Sequence, residues 1–487
     1  MFELSIMQIH KKYKEGSLLP SQLVQYYLDK IHQFDDKTKA IIELNPKALD
    51  IAKSKDAELK KKDHLELLFG IPVIVKDNID TAGEMATSAG SIALKNHYAK
   101  EDATVISRLK QEGAIILAKA NLSEWANFRG KKSISGWSSR RGQTRNPFFL
   151  NRTPCGSSSG SAVAVAADYC TVAIGTETDG SIVCPSHVNG IVGVKPTMGL
   201  VSRKGIIPIS HTQDTAGPMA RSVKDAAILL QAISGSDPED EITKRSENVE
   251  TDFSNFEERN LDSFTVGIGR KFFSFAPKVE RILNQTVKLM ETEGTNLIDP
   301  VEIEIPEDGL FEVDVLLADY KQDLNLYLQS VDEKIGINSI NDLIEFNKKH
   351  SEETMPFFGQ EWLELALESE GIGSEIYQKA MTNYEKLRTN LRNLFAEHHL
   401  DAIFLPTGSP AWPIDVVNGD CSSGSTSFLA AVTGFPSITL PIGEIQGLPV
   451  GGTLLGLPFS EKTLFSLAQA LELKLDCRFS PEFKEKL

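Results

Sequence analysis

The chain has 487 residues, of which 41% are hydrophobic and 24% charged, with a formal net charge of −16. That composition is that of a globular chain with a substantial core, and a surface so acidic excludes nucleic-acid binding by this chain alone. No run of 18 apolar residues occurs, which excludes a membrane-spanning helix.

Met1 to Lys14 reads as a short amphipathic helix without the continuous apolar segment of a secretion signal. The sequence as it stands predicts a cytoplasmic chain, with export behind a removed leader as the alternative. Pro20-Ser21 opens a helical pattern with Leu23, Val24, Tyr27, Leu28 and Ile31 on one face, so residues 1–65 are expected to be helical. Gly70 to Val75 reads as a buried strand with Lys76 at its end. Asp102 is expected to cap a helix carrying Val105, Ile106 and Leu109, stopped at Gly113. Ala114 to Ala118 is a second strand.

Ser161 to Ala167 suits a helix packed closely on a sheet, and Thr171 to Ile174 a further strand. Ser222-Val223-Lys224-Asp225 has the form of a capping box before Ala226, Ala227 and Leu230. Residues 236–260 are polar and acidic and read as a solvated separator. The region 236–400 is more helical, with Tyr377, Met381, Tyr384, Leu387, Leu391 and Leu394 forming one stripe, and is expected to shape a substrate pocket. Strands return at Ala402 to Pro406 and Ser437 to Pro441. Short strands alternating with helices predict an α/β fold: a large mixed, mostly parallel sheet sandwiched between helices, within a single domain 1–487.

Cys155, Cys170, Cys184, Cys421 and Cys477 are odd in number and lie at no metal-ligand spacing. They are expected to be free thiols of a reducing compartment. No metal site is expected. A Cys nucleophile lacks a His at any recognisable spacing.

Three stretches carry chemistry: Val75-Lys76-Asp77-Asn78, Gly156-Ser157-Ser158-Ser159-Gly160-Ser161, and Gly175-Thr176-Glu177-Thr178-Asp179-Gly180-Ser181-Ile182. A serine hydroxyl needs a base, and lysine serves only when neutral. From a reference pKa of about 10.4, neutralising it at pH 7 costs about 4.6 kcal/mol. Burial at a strand end lowers that cost for Lys76. The turn before Ser181 can aim several backbone N–H groups at one oxyanion. Ile182 onward is expected to open a short helix with Pro185 in its first turn, adding positive dipole at Ser181. Ser157 and Ser181 are 24 residues apart with one helix and one strand between, so the two turns are expected at one sheet edge.

These stretches, with Gly193-Val194-Lys195-Pro196-Thr197, Gly70 to Asn78 and Gly434-Phe435-Pro436-Ser437, resemble the amidase signature family. Within it the chain is most similar to bacterial peptide amidases, through Gly136-Trp137-Ser138, Gly142 to Pro147, Ile206 to Ser210 and Ala411 to Ile414. The resemblance implies a Ser–cis-Ser–Lys triad in which Ser181 attacks, Ser157 relays the proton and Lys76 is the final base. It implies an oxyanion hole from the N–H groups of Thr178, Asp179, Gly180 and Ser181, with Ser158 in support. It also implies no cofactor, a small amide or short peptide amide as substrate, and a monomer or homodimer. Asp179 stands where the family usually has Gly, and Val183 where it often has Arg; the second change removes one possible substrate anchor.

Other readings stand beside this one. The catalytic component of a tRNA-dependent amidotransferase, acting as a glutaminase, shares the family; so do small aliphatic or aryl amide hydrolases. Gly156-Ser157-Ser158-Ser159-Gly160 also fits a nucleophile elbow with Ser158 attacking, but Asn151 to Pro154 is a poor strand to precede one.

Overall fold

The computed structural model describes residues 3–487. In chain order its strands are β1 (Ile41–Leu44), β2 (Pro72–Lys76), β3 (Ile115–Ala120), β4 (Trp137–Ser138), β5 (Gly142–Gln143), β6 (Val172–Glu177), β7 (Val192–Lys195), β8 (Thr215–Ala220), β9 (Thr265–Ile268), β10 (Asn296–Ile298), β11 (Ala402–Pro406), β12 (Ser437–Ile445) and β13 (Leu448–Leu455). Among the described residues eleven of them form one sheet, ordered β1-β3-β2-β6-β8-β7-β12-β13-β11-β9-β10, and β4 and β5 make a separate ribbon.

The large mixed sheet between helices is as expected. Parallel pairing is gathered in two blocks, β3-β2-β6 and β11-β9-β10, and the centre between them is antiparallel. β2, β3, β6 and β11 are buried at every position, which is why their sequences run apolar instead of alternating. The helix Ser159–Ala166 is also buried throughout. Its Ser, Gly, Ala and Val side chains let it lie close against the sheet. An added Cβ at Gly160 would meet backbone atoms of Ala40 and Asn121.

Four local expectations differ from the structure. The first helix is Ile6–Lys14, capped by Ser5; Met1 and Phe2 lie outside the described residues. Within 1–65, β1 interrupts the helices and pairs antiparallel with β3; four residues are too few to show a period. The helix Thr104–Gln111 begins after Ala103 with no side-chain cap, because Asp102 Oδ1 accepts instead from the Ala82 N–H at 2.8 Å and pairs with Lys110. Ser222 does cap Val223–Ile233, but the Asp225 carboxylate accepts from the Ile6 N–H at 3.0 Å, tying the first helix to the core.

Residues 236–260 are not merely solvated. Asp237 accepts from Ser202 and Thr104, Asp240 pairs with Arg203 at 2.6 Å, and Phe253 and Phe256 pack against Phe465. Asp237 and Asp240 are thus hydroxyl and ion-pair partners, whereas Glu247, Glu257 and Glu258 are exposed. The stripe from Tyr377 lies on the helix Glu375–His398 and buries Tyr377, Tyr384, Leu387 and Leu391.

Candidate active site

Lys76 ends β2 in full burial. Its Nζ lies 2.7 Å from Ser157 Oγ, 2.7 Å from Thr176 Oγ1 and 3.1 Å from the Thr176 carbonyl oxygen. Asn78 Nδ2 donates to the same Thr176 hydroxyl at 3.0 Å. Burial pushes the Lys76 amine down from 10.5 to about 7, against the opposing pull of the Asp214 and Glu177 carboxylates. No carboxylate lies within ion-pairing distance of this amine among the described residues. An unpaired buried lysine gives up its proton sooner than it stays charged.

Ser157 follows a cis Gly156–Ser157 peptide bond and is fully buried. The next residue joins the two serine turns: the Ser158 N–H donates to the Ser181 carbonyl at 3.1 Å. Ser158 Oγ donates to the Thr176 carbonyl at 3.0 Å and accepts from the Thr176 N–H at 3.2 Å. A hydroxyl engaged on both sides and fully buried is a brace, which removes the basis for an elbow centred on Ser158. Residues 151–155 form no strand either. The structure therefore brings Lys76, Ser157, Ser158 and Ser181 together at the ends of β2 and β6.

The turn Thr178–Ser181 is held from both ends. Glu177 Oε2 accepts the N–H groups of Ile182 at 2.7 Å and Val183 at 3.0 Å, anchoring the helix Val183–Val188 to the end of β6. Gly180 takes φ +75, a conformation open to glycine at little cost. An added Cβ there would also press on Ser427. Pro185 sits in the first turn of the helix, as expected. Thr178 Oγ1 donates to Asp214 Oδ1 at 2.5 Å. Asp214 is raised to about 6 by burial, and its other oxygen accepts from the Ile209 and Ser210 N–H groups.

Behind the turn, Gln213 Nε2 donates to the Thr178 carbonyl at 3.3 Å and to Glu312 Oε1 at 2.8 Å. Burial raises both Asp179 and Glu312, and their mutual repulsion favours a proton on Glu312. Asn78 and Thr176 stand within the sequence motifs, but the sequence alone assigns them no part. Their proximity to Lys76 shows only when two strand ends meet.

The cysteine expectation fails at two positions. Cys155 and Cys184 form a disulfide, with Cα atoms 6.1 Å apart and a sequence separation of 29; Cys170, Cys421 and Cys477 are free. The bond links the segment just before Ser157 to the helix just after Ser181. An odd count and a reducing-compartment prior cannot reveal that two turns coincide in space.

Beside the Lys76 cluster is a cavity of about 280 Å³, whose walls include Asn78, Thr176, Thr178, Ile207, Asp214 and Tyr327. Tyr327 belongs to the helix Glu312–Leu328, inside the region expected to shape a pocket.

Residues 22–465 match the Amidase family model. The chain belongs to the amidase signature family. Its general activity is that of an amidase. A probable amidase of Arabidopsis thaliana is 37% identical over 492 residues, covering 99% of this chain and 92% of the relative. A glutamyl-tRNA(Gln) amidotransferase subunit of Persephonella marina is 31% identical over 502 residues, covering 100% of this chain and 99% of that one. Among solved structures, the peptide amidase of Stenotrophomonas maltophilia superposes with a TM-score of 0.90 at 42% identity, covering 99% of both chains. In this amidase no helix among the described residues is long and apolar enough to cross a membrane.

Proposed function

We propose that this amidase hydrolyses the C-terminal carboxamide of peptides, releasing ammonia, through Ser181, Ser157 and Lys76. The observation that carries the mechanism is the 2.7 Å contact between the buried Lys76 amine and Ser157 Oγ. The substrate class is supported by 42% identity to a peptide amidase over nearly the whole chain.

Ser181 Oγ attacks the carboxamide carbon while its proton passes to Ser157 Oγ, and the Ser157 proton passes to neutral Lys76. The oxyanion is received by the backbone N–H groups of Thr178, Asp179, Gly180 and Ser181. Lys76 then returns the proton through Ser157 to the leaving nitrogen, which departs as ammonia. Water attacks the resulting ester by the same relay in reverse order, releasing the acid and restoring Ser181. Every proton taken is returned, so the cycle needs no cofactor.

Ammonia release from blocked peptide amides, small aliphatic and aryl amides and free glutamine tests this reading. Peptide amides are expected to give the highest kcat/KM. Preference for glutamine, with stimulation by partner proteins, would instead favour the amidotransferase reading, which the 31% identity to the Persephonella marina protein supports.

A further inference from the structure

Gln213 is 1% exposed and takes no part in the relay, yet it touches the turn that carries Ser181. Its place follows from sheet register. β6 and β8 run antiparallel with Glu177 opposite Thr215. Thr178 and Asp179, just past the end of β6, therefore lie beside Gln213 and Asp214, just before the start of β8. These two neighbours hold Thr178 at different points: Asp214 Oδ1 accepts from its hydroxyl at 2.5 Å, and Gln213 Nε2 donates to its carbonyl at 3.3 Å.

The orientation of the Gln213 amide follows from counting hydrogens. The Thr178 carbonyl can only accept, so the nitrogen end faces it. The second hydrogen on Nε2 goes to Glu312 Oε1 at 2.8 Å, and Gln213 Oε1 accepts from the Tyr384 hydroxyl at 2.9 Å. Both amide hydrogens and one oxygen lone pair are thus committed. The outer partners come from the helices Glu312–Leu328 and Glu375–His398, which supply none of Lys76, Ser157 or Ser181.

The Thr178 carbonyl shares its peptide plane with the N–H of Asp179. In a trans peptide the two point in opposite directions, and the plane turns as one body. A grip on the carbonyl is therefore a grip on the N–H. The Asp179 N–H has no acceptor among the described residues, as suits a donor kept for a transient oxyanion. Donation into the carbonyl also polarises the peptide and strengthens that N–H as a donor. Resting on the oxyanion reading above, we propose that Gln213 is a positioning residue that aims the Asp179 N–H at the oxyanion, with Glu312 and Tyr384 fixing its amide.

The test compares a blocked peptide aldehyde, whose adduct with Ser181 carries the oxyanion, with the matching peptide alcohol, which binds without one. Gln213→Met keeps the length of the side chain but removes the amide. Its kcat on a blocked peptide amide and its affinity for the aldehyde should fall together by about 10- to 100-fold, less than the roughly 10²- to 10³-fold cost of deleting an oxyanion donor outright. KM and affinity for the alcohol should stay within about twofold of wild type. Tyr384→Phe removes a single hydrogen bond and should show the same split at about threefold, which decides the matter if Gln213→Met does not fold. Unchanged aldehyde affinity in folded Gln213→Met, or in Tyr384→Phe where only that variant folds, overturns the inference. So does equal weakening of aldehyde and alcohol, the mark of general damage to the site. A wild type that neither hydrolyses peptide amides nor binds the aldehyde brings down the functional reading and this inference with it. That result differs from an active wild type whose variants show no split.

Discussion

Thr176 holds Lys76 twice, through its hydroxyl at 2.7 Å and its carbonyl at 3.1 Å. A neutral amine has two hydrogens and one lone pair. With both hydrogens directed at Thr176, the lone pair is left for Ser157 Oγ, 2.7 Å away. Protonation only reverses that last bond, so the heavy atoms need not move as the proton shuttles.

Thr176→Val keeps the shape of the side chain and the carbonyl contact but removes the hydroxyl. A hydrogen bond to a group that carries charge is worth about 1.5–3 kcal/mol, so kcat is expected to fall about 10- to 100-fold. Unchanged kcat on a good amide substrate would show that the carbonyl alone orients the amine.

Ser181→Ala should leave no turnover and no acyl-enzyme detectable by mass spectrometry. Lys76→Met should lower kcat by about 10²- to 10⁴-fold, the usual value of a positioned base. Because the wild-type amine is buried with no carboxylate paired to it, the methionine variant should melt no earlier than wild type at neutral pH. Substantial activity in either variant would break the proposed relay.

The base works only when neutral, so kcat/KM should rise about tenfold per pH unit below 7 and level off above the Lys76 value of about 7. Asp214→Asn removes a negative charge that holds this value up, and the acid limb should move to lower pH. Movement to higher pH would contradict the assignment. Stability follows the same group. Between pH of about 7 and 10.5 the unfolded lysine keeps a proton that the folded one has lost, so stability rises with pH across that window. At about 1.4 kcal/mol per pH unit the full change is on the order of 5 kcal/mol.

The Cys155–Cys184 bond closes a loop with a sequence separation of 29, for which chain-entropy arguments give roughly 3–4 kcal/mol of stabilisation. Denatured protein should show three reactive thiols before reduction and five after it. Reduction should lower Tm and depress activity, since both serine turns lose their tether. Five thiols without reductant would mean the bond does not form.

Gly160→Ala should be among the most damaging of small substitutions. The added methyl meets main-chain atoms of Ala40 and Asn121, which cannot rotate aside, and overpacking of this kind costs about 1–3 kcal/mol or more. A thermal melt of the purified variant checks it.

Much of the site is legible in the sequence. β2 and β6 announce themselves as apolar runs, and Lys76 is conspicuous because such a run ends in a charge. The Gly and Ser turns mark where backbone must bend tightly. What stays hidden depends on distant pairing. β1 is too short to carry a pattern, and the antiparallel centre comes from strands such as β7 and β12, separated by more than two hundred residues. The disulfide and the hold of Thr176 on Lys76 exist only because separate turns share an edge. Composition misleads at Asp237 and Asp240, whose charges are spent on internal partners.

The cavity walls share Asn78, Thr176 and Thr178 with the stretch that carries the proton relay but also draw on a distant part of the chain. The relay spans β2 to Ser181, whereas Tyr327 and its neighbours come from a helix more than a hundred residues further on. Descendants of such a chain can retune what they digest by redrawing that outer helix, with the reaction itself inherited untouched. An engineer wanting a new substrate would do well to begin there and leave the inner machinery alone.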